Sequence, residues 1–164
     1  MNLTAKSLLW DVEKYIDKAM KEKNVPASQL WLEITEQDVL TKSSTVIEKL
    51  NYLKSQGHVM MIDDFGMGHT SLVYLQTKYF NIVKLDGSLT RDVIHNETNR
   101  DIIASIVYLG RSLKFKIIAE YVENEAQRDE LKKLGCDAFQ GYLYSKPIKL
   151  DELMSWIKGS GHES

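Results

Sequence analysis

The chain has 164 residues, 21 Lys plus Arg against 23 Asp plus Glu, a formal charge of −2, and 43% hydrophobic positions. That is the composition of one soluble domain of about 100–200 residues able to bury its own core, and its interspersed charges offer no broad basic surface to a nucleic-acid duplex. The run Val59-Met60-Met61-Ile62 is far short of the roughly 20 apolar residues of a membrane span, and the charged first twenty residues hold no signal-peptide core, so a cytoplasmic protein is expected.

Leu8, Leu9, Val12, Ile16, Ala19 and Met20 recur at helical spacing. They predict an amphipathic helix from residue 7 to about 22, with Ser7 as a possible N-cap. Pro26 marks a turn, and Leu30 to Thr35 reads as a buried strand ending in acidic residues. Val46, Ile47, Leu50 and Leu53 form the next helical stripe, with Gly57 where the residue after a helix is expected. A strand at Val59 to Ile62, a short helical stretch around Ser71 to Tyr74 and a strand at Ile82 to Leu85 follow. Ile102, Ile103, Ile106 and Val107 give a helix face, Phe115 to Ala119 a strand, and Asn124 a cap for a helix ending at Gly135. A strand near Ala138 to Tyr142 and a helix from about Asp151 to Lys158 complete the pattern, and residues 159–164 read as a flexible tail.

Alternating strands and helices imply right-handed βαβ units and a parallel sheet. Five strands are clear and a sixth is possible at the extreme N-terminus. Either a doubly wound sheet or a (β/α)8 barrel fits; a whole barrel takes about 250 residues, so a barrel of this length is incomplete.

Charge gathers where the predicted strands end. Glu33 and Glu36 follow the first clear strand, Asp63 and Asp64 the second, Lys84 and Asp86 the third, Glu120 and Glu123 the fourth, and Gln140 the last. In parallel α/β folds these ends open on one face, where ligands bind. Carboxylates that converge there repel one another unless a metal ion neutralises them. The single cysteine, Cys136, excludes an internal disulfide and paired-thiolate zinc, and His58, His69, His95 and His162 lack ligand spacing. Oxygen ligands favour Mg2+, Mn2+ or Ca2+, and with one lysine among them the set points to metal-assisted phosphoryl chemistry. The same residues also suit structural duties: Asp63-Asp64 in a turn, Lys84 as a solvated charge, Glu120 and Glu123 at a helix start, and Gln140 bonding backbone.

Six ordered segments carry a resemblance. They are Asn2-Leu3-Thr4, Leu32-Glu33-Ile34-Thr35-Glu36, Asp63 to Leu72 (DDFGMGHTSL), Val83-Lys84-Leu85-Asp86, Ala119-Glu120-Tyr121-Val122-Glu123 and Gln140 to Pro147 (QGYLYSKP). In order and spacing the chain resembles the EAL-type cyclic-di-GMP phosphodiesterases of bacteria. The resemblance implies an incomplete (β/α)8 TIM-type barrel starting near the third strand of the family fold, an EAL-type domain over residues 1–158. It implies hydrolysis of cyclic di-GMP to linear pGpG with two Mg2+ or Mn2+ ions. Asn2, Glu33, Asp63, Asp64 and Glu120 would be metal-site residues, with Asp63 bridging; Lys84 and Gln140 would hold the attacking water, and Lys84 would assist its deprotonation or orientation. Glu36 would anchor the loop that turns at Gly66 and Gly68, a loop the family uses to couple metal binding to dimerisation. Contacts near Tyr144 and Ser145 would hold a guanine base.

The Glu-Ala-Leu segment that names the family, with its metal-ligand glutamate and a downstream phosphate-binding arginine, is not in this sequence. Tyr121 stands where glycine is usual, Met67 where threonine is usual, and His69-Thr70 replaces Tyr-Ser. Two open sheet edges are expected, together with association with a second copy or a further segment that completes the barrel. Sensory or cyclase domains in a parent protein are compatible with this reading. The alternative function is a non-enzymatic cyclic-di-GMP-binding or dimerisation module.

Overall fold

The computed structural model describes residues 1–39, 43–66 and 73–160. Six parallel strands form one sheet in chain order: β1 (Asn2–Leu3), β2 (Trp31–Thr35), β3 (Val59–Phe65), β4 (Ile82–Leu85), β5 (Lys116–Ala119) and β6 (Ala138–Phe139). Each strand pairs with the next one along the chain. A doubly wound sheet reverses its order at a switch point, so this uninterrupted order is that of a barrel segment. Among the described residues β1 and β6 each pair on one side only, leaving the two edges expected from the sequence.

The connections are helical. Helices α1 (Ala5–Leu9) and α2 (Val12–Lys23) join β1 to β2; α3 (Glu36–Val39) and α4 (Ser44–Ser55) join β2 to β3; α5 (Val73–Gln76) joins β3 to β4. Helices α6 (Gly87–Thr90) and α7 (Glu97–Leu113) precede β5, α8 (Glu125–Leu134) precedes β6, and α9 (Leu150–Ser160) follows it. Among the described residues no helix is long and apolar enough to cross a membrane.

Several boundaries differ from expectation for local reasons. The first helix is two helices, because Asp11 adopts a left-handed backbone (φ 57°) between them. Thr4 rather than Ser7 is the N-cap; Ser7 is the third residue of a reciprocal capping box with it. Strand β3 runs on to Phe65, and the short helix begins at Val73; Ser71, Leu72 and Gly68 lie outside the described residues. Strand β6 stops at Phe139, since the chain turns away once the Gln140 N–H has donated to the Ala119 carbonyl. Helix α8 is capped as expected: the Asn124 side chain accepts from the Gln127 N–H and Gly135 closes the helix at φ 101°.

Alternation along the strands separates two faces. Leu32, Ile34, Met60, Ile62, Val83, Leu85, Ile117 and Ala119 belong to the core shared with Leu8, Val46, Leu50, Leu53, Ile103, Val107 and Leu131 on the helices. Register then assigns the opposite face: Asn2 aligns with Glu33, Glu33 with Met61 and Thr35 with Asp63. The acidic side chains at the strand ends are therefore not part of the helix-covered core.

Cys136 lies buried just after α8. Burial, aided by the neighbouring Asp137 charge, pushes its thiol up to about 12, so essentially no thiolate exists near neutrality. Native protein should give no measurable reaction with a thiol-specific disulfide reagent at pH 7.5 or below ~8, and one equivalent after denaturation. Rapid labelling of native protein would show that this packing is wrong.

Candidate metal centre

Strict alternation would send the consecutive Asp63 and Asp64 to opposite faces. Strand β3 avoids this with a bulge: Ile62 pairs with Val83 and Phe65 with Leu85, so two residues of β3 stand against Lys84 alone. Asp64 takes the left-handed backbone there, at φ 55°. As a result, one carboxylate oxygen from each of Asp63, Asp64 and Glu120 lies within 4.8 Å of the others.

Lys84 projects into the same cluster from the middle of the sheet. Its Nζ is 2.8 Å from Asp63 Oδ1, 2.8 Å from Glu120 Oε1 and 3.2 Å from Glu33 Oε2. Burial opposes its charge, but Asp63 and Glu120 outweigh that effect and hold its pKa above the usual lysine value. Lys84 is thus a fixed cation. The carboxyls respond in the other sense. Burial foremost raises the pKa of Glu120 against the pull of Lys84, with the charges of Asp63 and Asp64 adding to it. Burial, then Asp63 and Asp86, raises that of Asp64. Asp63 Oδ1 is paired with Lys84 at 2.8 Å, but one ammonium serves three carboxylates here, and the remaining excess of negative oxygen fits a hard divalent cation.

Asn2 sits beside Glu33 by strand register, at the rim of this group. Gln140, at the end of β6, lines a cavity of about 350 Å³ together with Arg91, Glu120, Tyr121, Glu123 and Tyr142. Glu36 is buried, and its Oε2 accepts the Gly66 N–H at 3.2 Å, tying the start of α3 to the turn after β3. Gly66 has φ 107°, a left-handed conformation that favours glycine, and a Cβ there would press on the Leu89 side chain. Gly68 is outside the described residues. Tyr144 lies near the Arg128 charge and Ser145 donates to the Lys146 carbonyl; neither lines the cavity. Asp86 caps α6 through the Ser88 N–H.

Several supporting residues carried no clear sequence signal. Buried Thr90 donates to the Glu120 carbonyl at 2.6 Å. Buried Gln127 accepts from the Glu123 N–H and donates to the Arg91 carbonyl, each at 2.8 Å. Only its place three residues after a capping Asn was legible. Gly141 permits a close crossing: a Cβ there would come within 2.2 Å of the Val122 carbonyl oxygen, while Val122 N–H donates to the Gln140 carbonyl.

The EAL domain family model matches residues 1–147. The chain belongs to the EAL domain family. The cyclic di-GMP phosphodiesterase PdeF of Escherichia coli is 36% identical over 143 residues, covering 87% of this EAL chain and 19% of PdeF. The solved cyclic-di-GMP complex of the MucR phosphodiesterase of Pseudomonas aeruginosa superimposes with a TM-score of 0.84 at 34% identity, over 93% of this chain and 62% of that one. A manganese and cyclic-di-GMP complex of Klebsiella pneumoniae BlrP1 gives 0.84 at 30% identity, over 90% of this chain and 38% of BlrP1. The chain spans about a fifth of the length of the curated relatives it matches. The six parallel strands thus match EAL barrels over part of their length, as the sequence resemblance implied.

Two outcomes follow from this geometry. Because the carboxyls of Asp64 and Glu120 titrate above their usual values, protons compete with a cation at higher pH than they would at ordinary carboxylates. Mn2+ affinity measured by calorimetry should therefore fall as the pH is lowered; affinity that does not change with pH would contradict the cluster's role. Gly141→Ala should cost about 2 kcal/mol or more of stability, read as a lowered denaturation midpoint, and a wild-type midpoint would mean that the crossing relaxes freely.

Proposed function

We propose that this EAL chain is a divalent-metal phosphodiesterase that hydrolyses one phosphodiester of cyclic di-GMP to linear pGpG. The convergence of Asp63, Asp64 and Glu120, with only Lys84 to offset their charge, carries the reading. The relatives named as cyclic-di-GMP phosphodiesterases support the substrate. Asp63, Asp64, Glu120 and Glu33, with Asn2 at the rim, would hold two Mg2+ or Mn2+ ions, Asp63 bridging them. When bound, such a pair supplies a nucleophilic water at neutral pH and stabilises charge on the attacking and leaving oxygens.

The chain's own groups account for the rest. Lys84, hydrogen-bonded among the same carboxylates, would hold the attacking water and assist its deprotonation or orientation. Gln140 contributes an amide at the cavity wall that both donates to and accepts from water or substrate. The Glu36 bond to Gly66 holds the turn after β3, and with it the direction of Asp63 and Asp64. The loop-anchoring role of Gly68 belongs to the same proposal.

Incubation with cyclic di-GMP and Mg2+ or Mn2+ should yield pGpG on chromatography. Asp63→Asn removes one charge from the metal-binding set and should reduce turnover by about a thousandfold or more, the equivalent of several kcal/mol of transition-state stabilisation. Nucleotide retention without metal-dependent turnover would favour the binding-module reading instead. Equal turnover by wild type and Asp63→Asn would sink the assignment of Asp63.

A further inference from the structure

The conspicuous departure from the family pattern, Tyr121, occupies an unusual backbone position. Its φ is 56°, in the left-handed region that costs a bulky side chain about 1–2 kcal/mol. A glycine would avoid that strain. The ring is nevertheless tightly seated on α6. The Arg91 guanidinium lies 4.2 Å from its centroid, a cation–π distance, and a Cβ on Gly87 would strike the ring at 2.7 Å from Cδ2 and 2.9 Å from Cγ. The absence of a side chain at Gly87 is what makes room for the tyrosine.

Tyr121 remains 43% exposed and lines the same cavity as Glu120 and Gln140. Arg91 is the basic residue among the described residues of that wall; its charge acts on Asp86, and its carbonyl accepts from Gln127. A half-exposed aromatic ring with a guanidinium against it, lining the same cavity as Glu120 and Gln140, suits stacking by a planar base.

We propose that Tyr121 is a base-stacking, specificity-determining residue of this chain, holding one guanine of the cyclic dinucleotide on a platform set by Gly87 and Arg91. This deepens, and rests on, the cyclic-di-GMP reading above. Tyr121 binds the base directly; Gly87 and Arg91 act only by positioning its ring.

The test compares wild type, Tyr121→Gly, Tyr121→Phe and Gly87→Ala by calorimetric titration with cyclic di-GMP in Ca2+, recovering the nucleotide to verify that it is intact. Thermal melting is recorded alongside. Tyr121→Gly should bind about tenfold more weakly, within the range for loss of one base–aromatic stack, without a lower melting temperature, because glycine accepts the left-handed backbone. Tyr121→Phe should stay within about twofold, since stacking needs the ring and not the hydroxyl. Gly87→Ala should weaken binding with the tyrosine still present. Equal or tighter binding by Tyr121→Gly would overturn the platform while leaving the phosphodiesterase reading in place. Absence of both binding and turnover in wild type would overturn that reading and the platform with it.

Discussion

Lys84 has to satisfy more negative charge than one ammonium can neutralise, and the arrangement around it follows from that imbalance. It meets Glu33, Asp63 and Glu120 directly, with Asp64 beside them. When all are ionised, one positive charge faces four negative ones. Charge held away from water is costly unless it is paired and hydrogen-bonded. The lysine is therefore locked in its charged form, while the burdened carboxyls of Glu120 and Asp64 hold their protons more readily than usual. Divalent cations would remove the same imbalance more completely.

Backbone geometry, rather than side-chain choice alone, concentrates those charges. The bulge in β3 lets adjacent aspartates face one mouth. The crossing at Gly141 brings the end of β6, with Gln140, beside the turn after Glu120. Thr90 and Gln127 then tie α6 and α8 to those turns by bonding carbonyls and amides that a parallel strand end leaves without ladder partners. The turns at the strand ends are thus held by side chains of α6 and α8, whereas the helix-covered core supplies the rigid frame beneath them.

Tyr121 shows how a departure from the usual family residue is absorbed locally. Read in isolation, a ring next to Glu120 threatens to crowd the pocket. The missing side chain at Gly87 and the guanidinium of Arg91 draw it onto α6 instead. Its backbone strain is offset by contacts that depend on residues some thirty positions earlier in the chain. Tyr121 and its two neighbours therefore behave as one unit, and the consequence of any one identity depends on the others.

The sequence by itself determined the alternation of strands and helices, the strand Ile82–Leu85, the Asn124 and Gly135 caps and the clustering of acids at strand ends. These are local signals, written in side-chain periodicity and in the few residue types that terminate helices. Its six ordered motifs also carried the EAL family, later matched over residues 1–147. Tertiary structure decided what depends on distant backbone: the break at Asp11, the neighbour-to-neighbour strand order, and the bulge that unites Asp63 with Asp64. It also decided which polar groups serve structure and which face the pocket. Asp86 turned to cap α6, Lys84 entered the acidic cluster, and Arg91, Tyr121 and Tyr142 lined the cavity with Gln140. Composition and spacing record what a side chain can do, but its partners are fixed only when register, crossovers and close backbone contacts bring separate segments together.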